Sequence, residues 1–142
     1  FKDIEFLENN NKISLFNLED FLDAHNHRPD GCLMTMMLFK SDDPSSCGVV
    51  KLDKKGVVTD FFEKVPFPPS NLANGAVYLL DPSILNKIKL IEKCSDFSTH
   101  VIPLFVNKIY TYLNTNYHRD IGSIKNLEIA NRDFKGKSSY YC

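Results

Sequence analysis

The chain has no tryptophan, and its six glycines stand singly. Scattered glycines exclude a Gly-rich phosphate loop of the dinucleotide or P-loop type. No G-x-S-x-G occurs, and no Ser-His-Asp or Cys-His grouping can be placed. No apolar run approaches the roughly 20 residues that span a bilayer. Charge of neither sign dominates: 17 Lys and Arg face 18 Asp and Glu, for a net charge of −1. The electrostatic footprint of a nucleic-acid or anionic-membrane binder is therefore missing. The four cysteines, Cys32, Cys47, Cys94 and Cys142, include no pair two to four residues apart, which argues against a zinc site. Cys32 sits in an apolar run and reads as a buried thiol, and the cysteine usage fits a reducing, cytoplasmic setting. The opening FKDIEFLENNN is too polar for a signal peptide. A start at Phe1 without Met suggests a fragment or a processed chain.

What is present is an ordinary globular composition, 43% hydrophobic over 142 residues, enough for one domain with a core. NLEDFLDAHNHR reads as a helix. Asn17 caps it, acids fill its first turn, and Pro-Asp-Gly at 29–31 stops it. CLMTMMLFK, 32–40, reads as a central strand buried on both faces. CGVVKLD and VVTDFFEK read as a hairpin joined through Lys54-Lys55-Gly56. VPFPPSN is a Pro-rich loop. ANGAVYLLD, 73–81, is a second buried strand, and Asp81-Pro82 opens a helix. A helix starts near Asp96 and runs into VIPLF, where Pro103 disturbs or ends it. KIYTYLN is a strand of alternating exposure, and Ser123 caps a last helix over roughly 124–133. Five strand-like runs among four helices give an α/β domain. The hairpin makes its sheet mixed, with flanking helices.

Ligands gather at the carboxyl ends of strands in such sheets. Glu63 and Lys64 end a strand. An adjacent acid and base can hydrogen-bond sugar hydroxyls and neutralise a phosphate, although a solvated strand end explains them more simply. Asn74-Gly75 puts an amide beside a residue with no side chain, for a ligand's approach or for a bulge. Asp120 is a turn residue or a metal ligand. His25 and His27, two apart on one helix, point to different faces and read as helix-end cations. His118 could reach a phosphate, with solvent exposure as the default.

In order, SLFNLEDFLDAH, CGVVKLDKKGVVTDFFEKV, NGAVYLLDPSIL, DFSTHVIPLF and IYTYLNTNYHRDIGSIKNLEIAN resemble the sugar-1-phosphate nucleotidyltransferase family. The nearer subset is the guanylyltransferase-like group acting on mannose- or heptose-1-phosphates. The resemblance covers roughly residues 11 to 131 and only the C-terminal half of the family domain. It implies a Rossmann-like fold that joins a nucleoside triphosphate to a sugar-1-phosphate with Mg²⁺ and releases pyrophosphate. It maps Glu63 and Lys64 onto sugar-phosphate contacts, Asn74 and Gly75 onto sugar contacts, and Asp120 onto a metal ligand. Two features depart from the pattern. The family's Gly-rich loop and Pro-Lys pair have no counterpart in this chain. Its Asn-Gly-Asp falls on Asn11, Lys12 and Ile13, where an apolar side chain cannot ligate Mg²⁺ and a lysine repels it. The expectation is a sugar-phosphate-binding half, inactive alone, that meets a nucleoside triphosphate only if the missing half is supplied. The alternative is a non-catalytic sugar-phosphate-binding or interaction module. Asp120 should hold metal weakly and accept hydrogen bonds from N–H groups near Gly122 or from Arg119. A half sheet exposes an edge and apolar surface, so self-association is expected too.

Overall fold

A computed structural model describes residues 5–8, 12–91 and 96–135. Cys94, Cys142 and the tail lie outside them. The elements run β1 (Glu5–Glu8), β2 (Lys12–Ser14), α1 (Leu18–Asn26), β3 (Met34–Lys40), β4 (Gly48–Leu52), β5 (Val58–Glu63), β6 (Leu72–Leu80), α2 (Pro82–Lys89), α3 (Phe97–His100), β7 (Ile109–Leu113), β8 (His118–Asp120) and α4 (Ile124–Phe134). The main sheet has the order β5-β4-β6-β3-β7, and β1 joins the flank of β6 that β3 leaves free. β7 runs parallel to β3 and the other pairs are antiparallel, so the sheet is mixed. β2 and β8 form a separate two-stranded ribbon.

β3 is buried on both faces, as its unbroken apolar run requires. Met34, Met36 and Leu38 join Tyr78, Leu80, Ile84, Ile102 and Ile109 on one side. Met37 faces the other side, with Phe21, Val77 and Leu79. Thus α1 covers one face of the sheet, and α2 with the turn at 102–105 covers the other. Helix starts follow their capping residues. Asn17 Oδ1 accepts from the Glu19 and Asp20 amides, Asp81 from Ser83, Asp96 from Thr99 and Ser123 from Asn126. Pro103 is accommodated by a 3₁₀ turn, Ile102–Phe105, that follows the four-residue α3.

The hairpin turn is closed by Gly56 at φ +80°, which glycine adopts without strain. Thr111 Oγ1 donates to Gly56 O at 2.8 Å, and Val57 bridges Tyr110. This turn covers part of the outer edge of β7. Large apolar side chains do stand in solvent at Phe67, Leu90 and Ile124. Three strands depart from the sequence reading: β1, β2 and β8 are three or four residues long and largely polar, too short for a period to show. β7 also fails to alternate, since only Ile109 in it is fully buried.

His25 is not a helix-end cation. It lies one turn after Phe21 on the face of α1 turned to the sheet, and it is 4% exposed. Its Nδ1 sits 2.8 Å from Thr35 Oγ1. Burial, reinforced by Arg28, pushes its pKa down to about 4, so it is neutral at pH 7. His27 is the exposed member, 3.1 Å from Asp23. Arg28 fastens this corner: it donates to Cys32 O, to His25 O and to Asp81 Oδ2, joining the end of α1 to the cap of α2.

His25 should make stability depend on pH. Its folded pKa lies below the ordinary value of about 6.5, so the unfolded chain binds more protons between about pH 6.5 and 4. Its contribution is whole above that window and is lost as pH falls through it, by an amount on the order of 3 kcal/mol. His25→Gln, which keeps a partner for Thr35, should flatten this part of the slope in urea unfolding. Identical slopes in both proteins would mean that His25 titrates alike in the folded and unfolded chains.

Candidate functional site

The β2–β8 register decides which side chains share a face. Lys12 lies opposite Asp120, Ile13 opposite Arg119, and Ser14 opposite His118. Directly opposed residues point the same way and neighbours alternate. Lys12, Ser14, His118 and Asp120 therefore form one polar face, with Ile13 and Arg119 on the other. Arg119 donates to Tyr117 OH and lies 3.6 Å from Asp133 Oδ2. Tyr117 OH donates to Asp133 at 2.9 Å. This group ties α4 to the ribbon and turns Arg119 away from Asp120. Asp120 accepts instead from the Gly122 N–H at 2.7 Å, the backbone partner expected for it.

The charges of three predicted residues, Asp120, Glu63 and Lys64, bear on Lys12. It is half-buried, and Asp120, Cys47, Glu63 and Lys64 all act on it electrostatically. Burial pushes its pKa down, and the carboxylates of Asp120 and Glu63 oppose that shift. Glu63, the last residue of β5, has its own pKa raised by burial, against the pull of Lys64. Lys64 follows in the left-handed region at φ 49°, with Nζ 4.0 Å from Glu63 Oε1. Its backbone N–H donates to Cys47 O.

Asn74 and Gly75 lie inside β6, where the pairing with β3 shifts between Met36/Tyr78 and Leu38/Asn74. This is the bulge reading of the pair. The Asn74 amide serves the bulge itself: Oδ1 accepts from the Ala76 N–H, and Nδ2 donates to Tyr78 OH at 2.7 Å. Gly75 is buried. A Cβ there would stand 2.9 Å from Met37 Cε, 3.0 Å from Met37 O and 3.6 Å from His118 Cε1. The backbone that approaches Gly75 is the protein's own. The ring of His118 lies over the same glycine, at ordinary contact distance from where a Cβ would stand.

His118 is half-buried rather than exposed. Its ring lies against Phe39 at 4.2 Å, and its Nδ1 is 3.1 Å from Ser14 Oγ. Burial first, then Lys12, pushes its pKa down to about 4, so it meets a ligand as a neutral imidazole and not as a cation. Its Nε2 is buried and has no hydrogen-bond partner among the described residues. His118 and Asp120 line an open cleft of about 710 Å³ whose rim includes Lys40 and Lys125.

These residues do not fit a divalent cation. Mg²⁺ needs several oxygen ligands in near-octahedral order. This face offers one carboxylate, already holding an N–H, with an ammonium opposite it. Among the described residues, no three His, Cys, Asp or Glu side chains are grouped to hold a metal. Ile13 is also not the position that matters for Asp120. Its side chain shares the Arg119 face, so a carboxylate there would point away from Asp120. Lys12 is the residue beside Asp120, and Asn11 lies outside the described residues. Lys12 and His118 drew notice in the sequence only singly and Ser14 not at all, because only the register assembles the three on one face. Their one local signal is the short polar-apolar-polar alternation of Lys-Ile-Ser.

Residues 3–136 match the nucleotidyl transferase family. A glucose-1-phosphate adenylyltransferase of Lachnospira eligens is 31% identical over 119 residues, covering 79% of this chain and 28% of that protein. One from Bacillus cereus is 29% identical over 120 residues, covering 79% and 32%. The chain thus spans about a third of the length of these relatives. Among solved structures, a putative glucose-1-phosphate thymidylyltransferase from Bacillus anthracis, in complex with sucrose, superposes with a TM-score of 0.76 at 18% identity. The superposition covers 92% of this chain and 54% of that one, and it shows the shared fold.

Gly75→Ala tests the packing beneath the site. The new methyl would press on the Met37 backbone, which cannot swing aside as a side chain can. Overpacking of this kind costs about 1–3 kcal/mol, read as a lower urea midpoint at unchanged m-value. A variant as stable as wild type would show that β3 and β6 have slack at the bulge.

Proposed function

This chain belongs to the nucleotidyl transferase family of sugar-1-phosphate enzymes, and we propose that it forms the sugar-phosphate side of such a site and binds a sugar-1-phosphate without turning it over by itself. The observation that carries this reading is the register that sets Lys12 and Asp120 on one face with Ser14 and His118, with the charges of Glu63 and Lys64 acting on Lys12. Lys64 offers a mobile cation to a phosphate. Glu63 can accept from sugar hydroxyls, and the free Nε2 of His118 can take one more hydroxyl hydrogen bond. The substrate class is a sugar-1-phosphate. The relatives are named for glucose-1-phosphate, whereas the motifs resemble the mannose and heptose group.

In the full reaction a sugar-phosphate oxygen attacks the α-phosphorus of a nucleoside triphosphate and pyrophosphate leaves. Catalysis of that step is positioning plus charge neutralisation. Bound Mg²⁺ would supply part of the neutralisation in the family, but the residues described above do not fit it. These 142 residues also carry no Gly-rich triphosphate loop. Lys12 beside Asp120 favours the second reading, a sugar-phosphate-binding module with no transferase step of its own.

Calorimetry with glucose-1-phosphate and mannose-1-phosphate tests binding. Lys64→Ala should weaken it about tenfold, near 1.5 kcal/mol, the low end for a charge-assisted contact because the ammonium is largely exposed. Equal affinities would put the phosphate elsewhere. A pyrophosphate-release assay with Mg²⁺ and several triphosphates should give no turnover. Release above a heat-killed control would make the chain an enzyme in its own right.

A further inference from the structure

We propose that the ammonium of Lys12 occupies the cation position beside Asp120 and takes the phosphate of the bound sugar phosphate itself, so that binding needs no divalent metal. This deepens the sugar-phosphate reading and rests on it for the identity of the ligand. Four observations carry it. Lys12 is the residue directly opposite Asp120 in the ribbon, on the same face. It is half-buried, yet it makes no ion pair within 4.0 Å with a described residue, while the four charged pairs among described residues have Arg28, His27, Lys64 and Arg119 as their cations. Asp120 is held by the Gly122 N–H, so Lys12 need not collapse onto it. Lys64 acts on the ammonium electrostatically, so a phosphate on Lys12 meets the charge of a second lysine.

The same face gives the ligand a direction. Lys12 and Asp120 stand at one end, and Ser14 and His118 stand two residues along. Two residues of strand advance roughly 7 Å, about the length of a hexose ring with its anomeric phosphate. With the phosphate on Lys12 and Lys64, the ring lies toward His118, whose unpartnered Nε2 meets a hydroxyl. A phosphate dianion bridging two lysines needs no metal to neutralise it. The positive charge of Lys12 also opposes a divalent ion at Asp120.

Two measurements on the whole chain test this, using wild type, Lys12→Gln and Lys12→Arg, each checked for folding by circular dichroism. The first is calorimetry with glucose-1-phosphate in EDTA and in Mg²⁺. Wild type should bind equally in both. Lys12→Gln should lose at least tenfold in both, and Lys12→Arg should retain most of the affinity. The second is Mn²⁺ binding followed by electron paramagnetic resonance. Here Lys12→Gln should bind several-fold more tightly than wild type, because Asp120 loses its competing cation. Wild-type binding that requires Mg²⁺ would overturn the role of Lys12 and leave the sugar-phosphate reading standing. A wild type that binds no sugar phosphate in either buffer would overturn that reading. The Mn²⁺ titration would then decide whether Lys12 holds the cation position, and an unchanged Mn²⁺ affinity in Lys12→Gln would show that it does not.

Discussion

The pairing of β3 with β6 is the constraint on which the rest of the molecule depends. β3 is apolar on both faces, so it must lie inside the sheet with a layer on each side. One flank of β6 takes β3 along nearly its whole length, and the other is shared by β4 and β1. The bulge in this pairing makes β6 turn past Met37 with Gly75 pressed on the Met37 backbone. The ring of His118 rests over this same stretch of β6, beside Gly75. The polar ribbon is thereby seated over the sheet. A defect between β3 and β6 would reach the candidate site through packing, with no ligand contact disturbed.

Much of this was legible in the sequence because it was written locally. Asn17, Asp81, Asp96 and Ser123 announce helix starts, and the structure begins a helix after each. The hairpin, the Pro-rich loop and the central strand follow from turn chemistry and from the length of the apolar runs. What was not legible is tertiary. His25 reads as a helix-end cation until one knows that the sheet lies against that face of α1. The strands of the ribbon are three residues each, and no window of three carries a period. They exist because each satisfies the other's backbone hydrogen bonds, a fact absent from either segment alone.

The candidate residues divide along the same line. Glu63, Lys64 and Asp120 stand out by charge at strand ends, and in the fold the charge of each acts on Lys12. Asn74 and Gly75 stand out as an unusual pair inside an apolar strand, and they are unusual for a reason that concerns the protein itself: amide and glycine build the bulge. Lys12 reads as an obstacle to metal while it is considered as a neighbour in sequence. It becomes the centre of the site once the ladder sets it across from Asp120.

A lysine and a divalent ion are different instruments for the same phosphate. An ammonium is a single charge on a flexible stem, strongly hydrated, with three donors. It can hold a phosphate already present in the ground state. A metal ion carries twice the charge and can bind oxygens of two phosphates together, which matters most when charge moves between them in the transition state. Rate comes only from interactions that strengthen in the transition state. On the proposed reading, a face with Lys12 beside Asp120 would retain a sugar phosphate better than it would drive its transfer. Lys12, Lys64, Glu63 and His118 would all serve the hold on one sugar phosphate, and what the face would lack is the second charge that a second phosphate needs.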